Sequence, residues 1–243
     1  GSLISTTILL STIPKIAVFV VFLKLYYVPF LIIKFVWADI LIFVGMLSII
    51  IGSIFALTQE NIKRLLAYSA IANIGFIILS IGLVTVSGLQ ASLFYTIVYS
   101  MTALASFGII THITVNSCGI ENVSDLAGLS KTHPYFALLV LITMLSAAGI
   151  PPLIGFHAKL MVIKSLIDSS YILLSIIVVM MTVISAYYYL RIIKTIYFDD
   201  REETISNLSG NNIVLSINVI SLLALGLFPY ILFNLTIHMT SLF

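Results

Sequence analysis

Seven stretches of this chain are each long and apolar enough to cross a lipid bilayer, and that repetition leaves few folds open. A window of about 19 residues, split at polar or Pro/Gly punctuation, places them at 4 to 27, 37 to 58, 62 to 84, 89 to 115, 134 to 167, 170 to 197 and 212 to 237. The expected fold class is an all-α integral membrane protein with about seven transmembrane helices, one of them (134 to 167) broken. Only two connecting segments are strongly polar, NSCGIENVSDLAGLSKTHP (116 to 134) and FDDREETISNLSGNN (198 to 212). Residues 1 to 243 therefore read as a single membrane domain.

Composition excludes most other classes. The chain is 61% hydrophobic and 8% charged, with a mean hydropathy of +1.22, far from the balance of a soluble domain. A net charge of +2 gives no basic stripe for nucleic acid. The single Cys118 excludes a disulfide framework and a cysteine-rich metal site. No soluble cofactor motif is present. The start, GSLIS, enters an apolar helix without a charged leader region, so no signal peptide is expected. If the spans alternate sides, one face receives Lys63, Arg64, Lys131, Arg191, Lys194 and Arg201, and the other Lys24, Lys34 and Lys164. The positive-inside rule makes the richer face cytoplasmic or matrix.

The span from 134 to 167 contains the polar residues hardest to reconcile with lipid. As one straight helix it would be about 50 Å long, against about 30 Å of hydrocarbon. Pro151 and Pro152 are expected to break it, because neither can donate to the carbonyls of Ala147 and Ala148, and Gly149 and Gly155 weaken the flanking turns. A packed proline kink accounts for the Pro pair equally well. Lys159 tips the balance: it lies two turns after Pro152, on nearly the face of the freed carbonyls, and far from either end of the span. A charged lysine at mid-membrane costs about 2.5 to 3.5 kcal/mol on insertion scales and normally faces a hydrated cavity.

Lys15, directly after Pro14 in the first span, repeats the pattern, whereas Lys24 and Lys34 suit snorkelling at helix ends. Two mid-membrane lysines without matching carboxylates do not make a static ion pair; they suit groups that gain and lose protons. At an effective dielectric of about 20, two ammonium groups about 10 Å apart repel by about 1.7 kcal/mol, so charging one opposes charging the other. His112 is a candidate relay between them, though a histidine bonded to a backbone carbonyl near a helix end fits as well. His157, two residues from Lys159, points to a different face. Tyr187, Tyr188 and Tyr189 read as an interfacial aromatic belt. Ser69, Asn73, Thr96, Tyr99, Ser100 and Thr102 suit interhelical hydrogen bonds or water, and these roles stay open.

Four strings in order, TQENIKRLLAYSAIANIGFIILS (58 to 80), DLAGLSKTHP (125 to 134), MLSAAGIPPLIGFHAKL (144 to 160) and YYYLRI (187 to 192), resemble the antiporter-like subunits of respiratory complex I, most of all the subunit 2 type. That family has fourteen transmembrane helices with two inverted five-helix repeats, each holding a broken helix with a key lysine. The resemblance implies that residues 1 to 36 correspond to family helix 8, residues 37 to 197 to the second five-helix repeat (helices 9 to 13), and residues 198 to 243 to a loop and helix 14. It implies that Lys159 is the broken-helix lysine and Lys15 the connecting lysine, and it transfers no role to His157. The family's helix 5 glutamate, helix 7 lysine and Trp-Pro motif have no counterpart, since the only Trp is Trp37.

The resemblance thus implies the C-terminal half of a proton-translocating subunit of NADH:ubiquinone oxidoreductase. This chain would bind no cofactor; NADH, FMN, iron–sulfur clusters and ubiquinone would belong to other subunits. Expected partners are other membrane-arm subunits, lipid, and a separate chain carrying the missing Glu and Lys. The abundance of Ile, Phe, Tyr and Asn favours the mitochondrial inner membrane over a bacterial plasma membrane. A cation/proton antiporter subunit and a non-pumping scaffold are the rival readings.

Overall fold

In the computed structural model, residues 4–116, 120–200 and 213–241 are described. Ten α-helices follow one another among them: α1 (Ile4–Tyr27), α2 (Lys34–Thr58), α3 (Ile62–Gly82), α4 (Val86–Asn116), α5 (Leu129–Thr132), α6 (Pro134–Ala148), α7 (Ile154–Asp168), α8 (Ile172–Phe198), α9 (Ile213–Leu227) and α10 (Tyr230–Thr240). Among the described residues, four helical stretches are long and apolar enough to cross a membrane: Phe30–Thr58, Ile62–Gly82, Val86–Thr114 and Ile172–Phe198. The pair α9 and α10 makes a fifth if counted as one bent span.

The broken span resolves into α6 and α7, fifteen residues each. Each is about 22 Å long, so neither covers about 30 Å of hydrocarbon alone. The helix ends before the prolines. Gly149 closes α6 in the left-handed region, at φ 83°, with its N–H donating to Leu145 and Ser146 carbonyls and the Ile150 N–H to Leu145. Pro151 and Pro152, joined by a cis bond, follow in the connection. A second break departs from the expected single span 212 to 237: α9 and α10 meet at 87°. Pro229 has no N–H to continue α9, and it stands at the N-cap of α10.

The 31-residue α4 is the hub, touching α1, α3, α6, α7, α9 and α10. Beside it, α2 and α3 form a tight hairpin built on small residues. A Cβ added to Gly45 would lie 2.7 Å from the Leu79 nitrogen, one on Gly52 2.5 Å from the Ala72 nitrogen, and one on Gly75 2.8 Å from the Gly45 carbonyl oxygen. Backbones in direct contact gain packing that lipid cannot match. Asn61 caps α3, its side chain accepting from Lys63 and Arg64 N–H groups. The same corner pairs with the polar loop after α4: Asn61 bridges Asn122, Ile62 N–H donates to the Glu121 carbonyl and Val123 N–H to the Glu60 carbonyl. Gly128 N–H in turn donates to the Asp199 carbonyl at the end of α8. These links bring Lys63, Arg64, Lys131 and Lys194 to one end of the bundle, as the alternation of spans requires.

Candidate functional site

Lys159 sits one and a half turns into α7 with only 7% of its surface exposed. Its Nζ donates to the Ala148 carbonyl, 2.9 Å away, and to Ser185 Oγ on α8, 3.0 Å away. Ala148 is the last residue of α6, and its carbonyl stays unclaimed by that helix because the chain turns away at Gly149. A cation there also meets the negative end of the α6 dipole. The Ser185 hydroxyl in turn donates a hydrogen bond to the Thr182 carbonyl at 2.7 Å. The face of Phe76 lies 6.0 Å from the ammonium.

Inward from Lys159 is a narrow chamber of about 30 Å³, room for one or two waters. Its polar lining comes from Ser69 and Asn73 on α3, Tyr95, Tyr99, Thr102 and Ser106 on α4, Ser146 on α6 and Tyr189 on α8. Tyr95 donates to Asn73 Oδ1 at 2.8 Å, and Asn73 Nδ2 donates to the Ser69 carbonyl at 2.7 Å. Tyr189 engages Ser69, Asn73 and Tyr188 through its side chain. Ser146 Oγ is buried with no partner among the described residues. No Asp or Glu is among the described residues lining the chamber. Outward from Lys159 lies a groove of about 220 Å³ at the helix break, lined by Ala148, Gly149, Ile150 and Phe156 on one side and Thr182, Val183 and Ala186 on the other. Lys159 is the one described residue that lines both spaces.

The remaining sequence candidates fall in different places. Gly149 packs against the lysine itself: a Cβ there would lie 2.8 Å from Lys159 Cδ. Lys15 belongs to α1, but its side chain lies outside the described residues. His112 stacks on Phe136 at 5.0 Å between ring centres, beyond Phe107, the last α4 residue lining the chamber. Lys24 is exposed in the last turn of α1. The tyrosine run divides, with Tyr187 62% exposed and Tyr188 and Tyr189 1% and 2% exposed. The aromatic-belt reading therefore misses Tyr189 as a site residue, and Ser185 is not among the sequence candidates. The signal that finds them is the recurrence Ser185, Tyr188, Tyr189, Ile192 at helical spacing, all buried.

The family model for the NADH:quinone oxidoreductase/Mrp antiporter transmembrane region matches residues 1–185. The chain belongs to that family. It is 42% identical over 231 residues to the NADH-quinone oxidoreductase subunit N of Ruthia magnifica, covering 94% of this chain and 48% of the relative. It is 41% identical over 240 residues to that of Hydrogenovibrio crunogenus, covering 97% and 50%. The chain thus spans about half the length of the curated relatives it matches. Among solved structures, a chain of the membrane-bound sulfane sulfur reductase, an archaeal respiratory membrane complex, superposes with a TM-score of 0.77 at 26% identity, over 84% of this chain and 42% of that one. A chain of respiratory complex I from Thermus thermophilus does so with 0.69 at 28%, over 81% and 45%. The chain thereby shares the antiporter-like membrane architecture of that family, with four to five candidate membrane spans among its described residues. The two subunit N relatives are bacterial, and the mitochondrial inner membrane finds no support in them.

Proposed function

We propose that this chain is the C-terminal half of a subunit that moves protons across a bacterial plasma membrane as part of NADH:quinone oxidoreductase. The observation that carries the reading is the position of Lys159, a buried amine shared by a polar chamber and a groove at a broken helix. Its two acceptors are neutral, so the ammonium is held without a carboxylate that would lock the charge in place. A proton taken up on one side of Nζ and released on the other is then a change of hydrogen-bond partners at a single atom. Redox energy released elsewhere would reach the site as a shift in the populations of protonated Lys159 and Lys15. NADH, FMN, iron–sulfur clusters and quinone belong, in this reading, to other subunits.

The test is Lys159→Met in the assembled complex in sealed membrane vesicles. Proton uptake driven by NADH oxidation should fall about a hundredfold or more, the scale of a lost proton-transfer group, while the subunits still co-purify. Unchanged pumping would overturn the assignment. The rival reading, a cation/proton antiporter subunit, is decided by the chains that co-purify: flavin and iron–sulfur proteins support the oxidoreductase, and their absence supports the antiporter.

A further inference from the structure

On the side of α7 turned away from Lys159 there is a second polar space. Two residues along a helix rotate a side chain by about 200°, so His157 faces α4 and α10 while Lys159 faces α6 and α8. There a cavity of about 360 Å³ is lined by His157, Lys164 and Asp168 of α7, by Ser87 and Gln90 of α4, and by Phe233 of α10. The α7 residues stand at i, i+7 and i+11, a single stripe along the helix. Eleven residues span about 16 Å, so the cavity runs from the C-terminal end of α7 to within a turn of the level of Lys159. His157 closes its inner end, edge-on to Phe156 and Phe233 at 5.5 and 6.3 Å. Its Nδ1 is buried with no hydrogen-bond partner among the described residues. A water molecule or an incoming proton would give such a nitrogen the partner it lacks.

We propose that this cavity is a hydrated shaft that delivers protons from the membrane face at the C-terminus of α7 to His157. At its inner end a hydronium gives its proton to Nδ1: the N–H bond forms as the O–H bond breaks, and neutral water remains. The charged groups facing His157 in the shaft are Lys164 and Asp168 of its own helix; Ser87 and Gln90 from α4 are neutral, and α10 contributes Phe233. His157 is thereby a second proton-binding site on the helix that carries Lys159, open to one face.

Two measurements on the assembled complex test this. In a Cys118→Ser background, Gln90→Cys and Met161→Cys, both in the cavity lining, should react with a membrane-impermeant cationic methanethiosulfonate added at the α7 C-terminal face, far faster than Met180→Cys on the exposed side of α8. Equal, negligible rates at all three would show a dry cavity and overturn the shaft. The second measurement rests on the proposed translocation: when the pH of that face alone is varied, His157→Gln and His157→Phe should lose the response that the unmodified complex shows. A response retained in both variants would remove His157 as the acceptor. Labelling does not depend on pumping, so a complex that never translocates protons would sink the proposed function while the shaft is still decided.

Discussion

An ammonium held by a backbone carbonyl and a serine hydroxyl differs from one held by a carboxylate, because losing its proton leaves no unpaired negative charge behind. Lys159→Arg sharpens this point. Guanidinium keeps the charge and cannot release a proton, so pumping should fall nearly as far as in Lys159→Met, with assembly intact; full pumping by the Arg variant would refute proton exchange at this position. Ser185→Ala removes one of the two acceptors of Nζ, a loss of about 1 kcal/mol or more, and should slow translocation about fivefold without abolishing it. The lysine was legible in the sequence because a charge so far from both ends of an apolar span has few structural uses. Ser185 was not, since it lies 26 residues away on another helix and only the packing of α7 against α8 brings the two together. The side chain of Lys15 lies outside the described residues, and His112 stacks on Phe136.

Whole helices depend on a few contacts between backbones. Gly155 lets α7 lie against the end of α6: a Cβ there would come within 1.9 Å of the Ser146 carbonyl oxygen. Gly155→Ala must push the two helices apart, and we expect a loss of about 1 to 3 kcal/mol, read as a lower thermal midpoint in detergent. Arg191 ties α8 to the end of α2 by donating to the carbonyls of Leu57 and Gln59. Arg191→Lys keeps the charge but cannot span both carbonyls with one planar fork, so about 1 kcal/mol should be lost in the same assay. The interruption at 149 to 153 was readable from its prolines and glycines, although Gly149 ends the helix before the prolines are reached. The turn between α9 and α10 carried an equal signal, Pro229, inside a run apolar enough to be counted as one helix. Hydropathy measures length and polarity along the chain and is blind to direction, so a right-angle turn between two apolar segments passes unnoticed.

At the scale of the molecule, the chain aligns almost wholly with relatives about twice its length. The family was legible in the sequence because its motifs are local strings whose residues meet in the fold; the neighbours of the chain are not encoded in that way. The faces left open are extensive, with Ile32, Phe35 and Val36 exposed where α1 leads into α2, and Met180 and Val183 exposed along α8. We expect further transmembrane helices, with a mid-helix Glu and a Lys before a Pro-containing break, beside residues 4 to 27 in the intact particle. Cross-linking from that segment, followed by mass spectrometry, checks it; lipid alone or an unrelated single-helix protein at that place would refute the expectation.

The glycine contacts between α2 and α3 bear on which parts of the chain can move. Where main chains touch at Gly45, Gly52 and Gly75, neither helix can slide or rotate past the other without collision. The hairpin is therefore a fixed strut, and Phe76, which it carries, is a stationary wall beside the ammonium. In the proposed translocation, any motion at Lys159 then falls to the other side, where five residues without helical structure join α6 to α7. The molecule would divide into a frame and a hinge, with the lysine on the helix that follows the hinge.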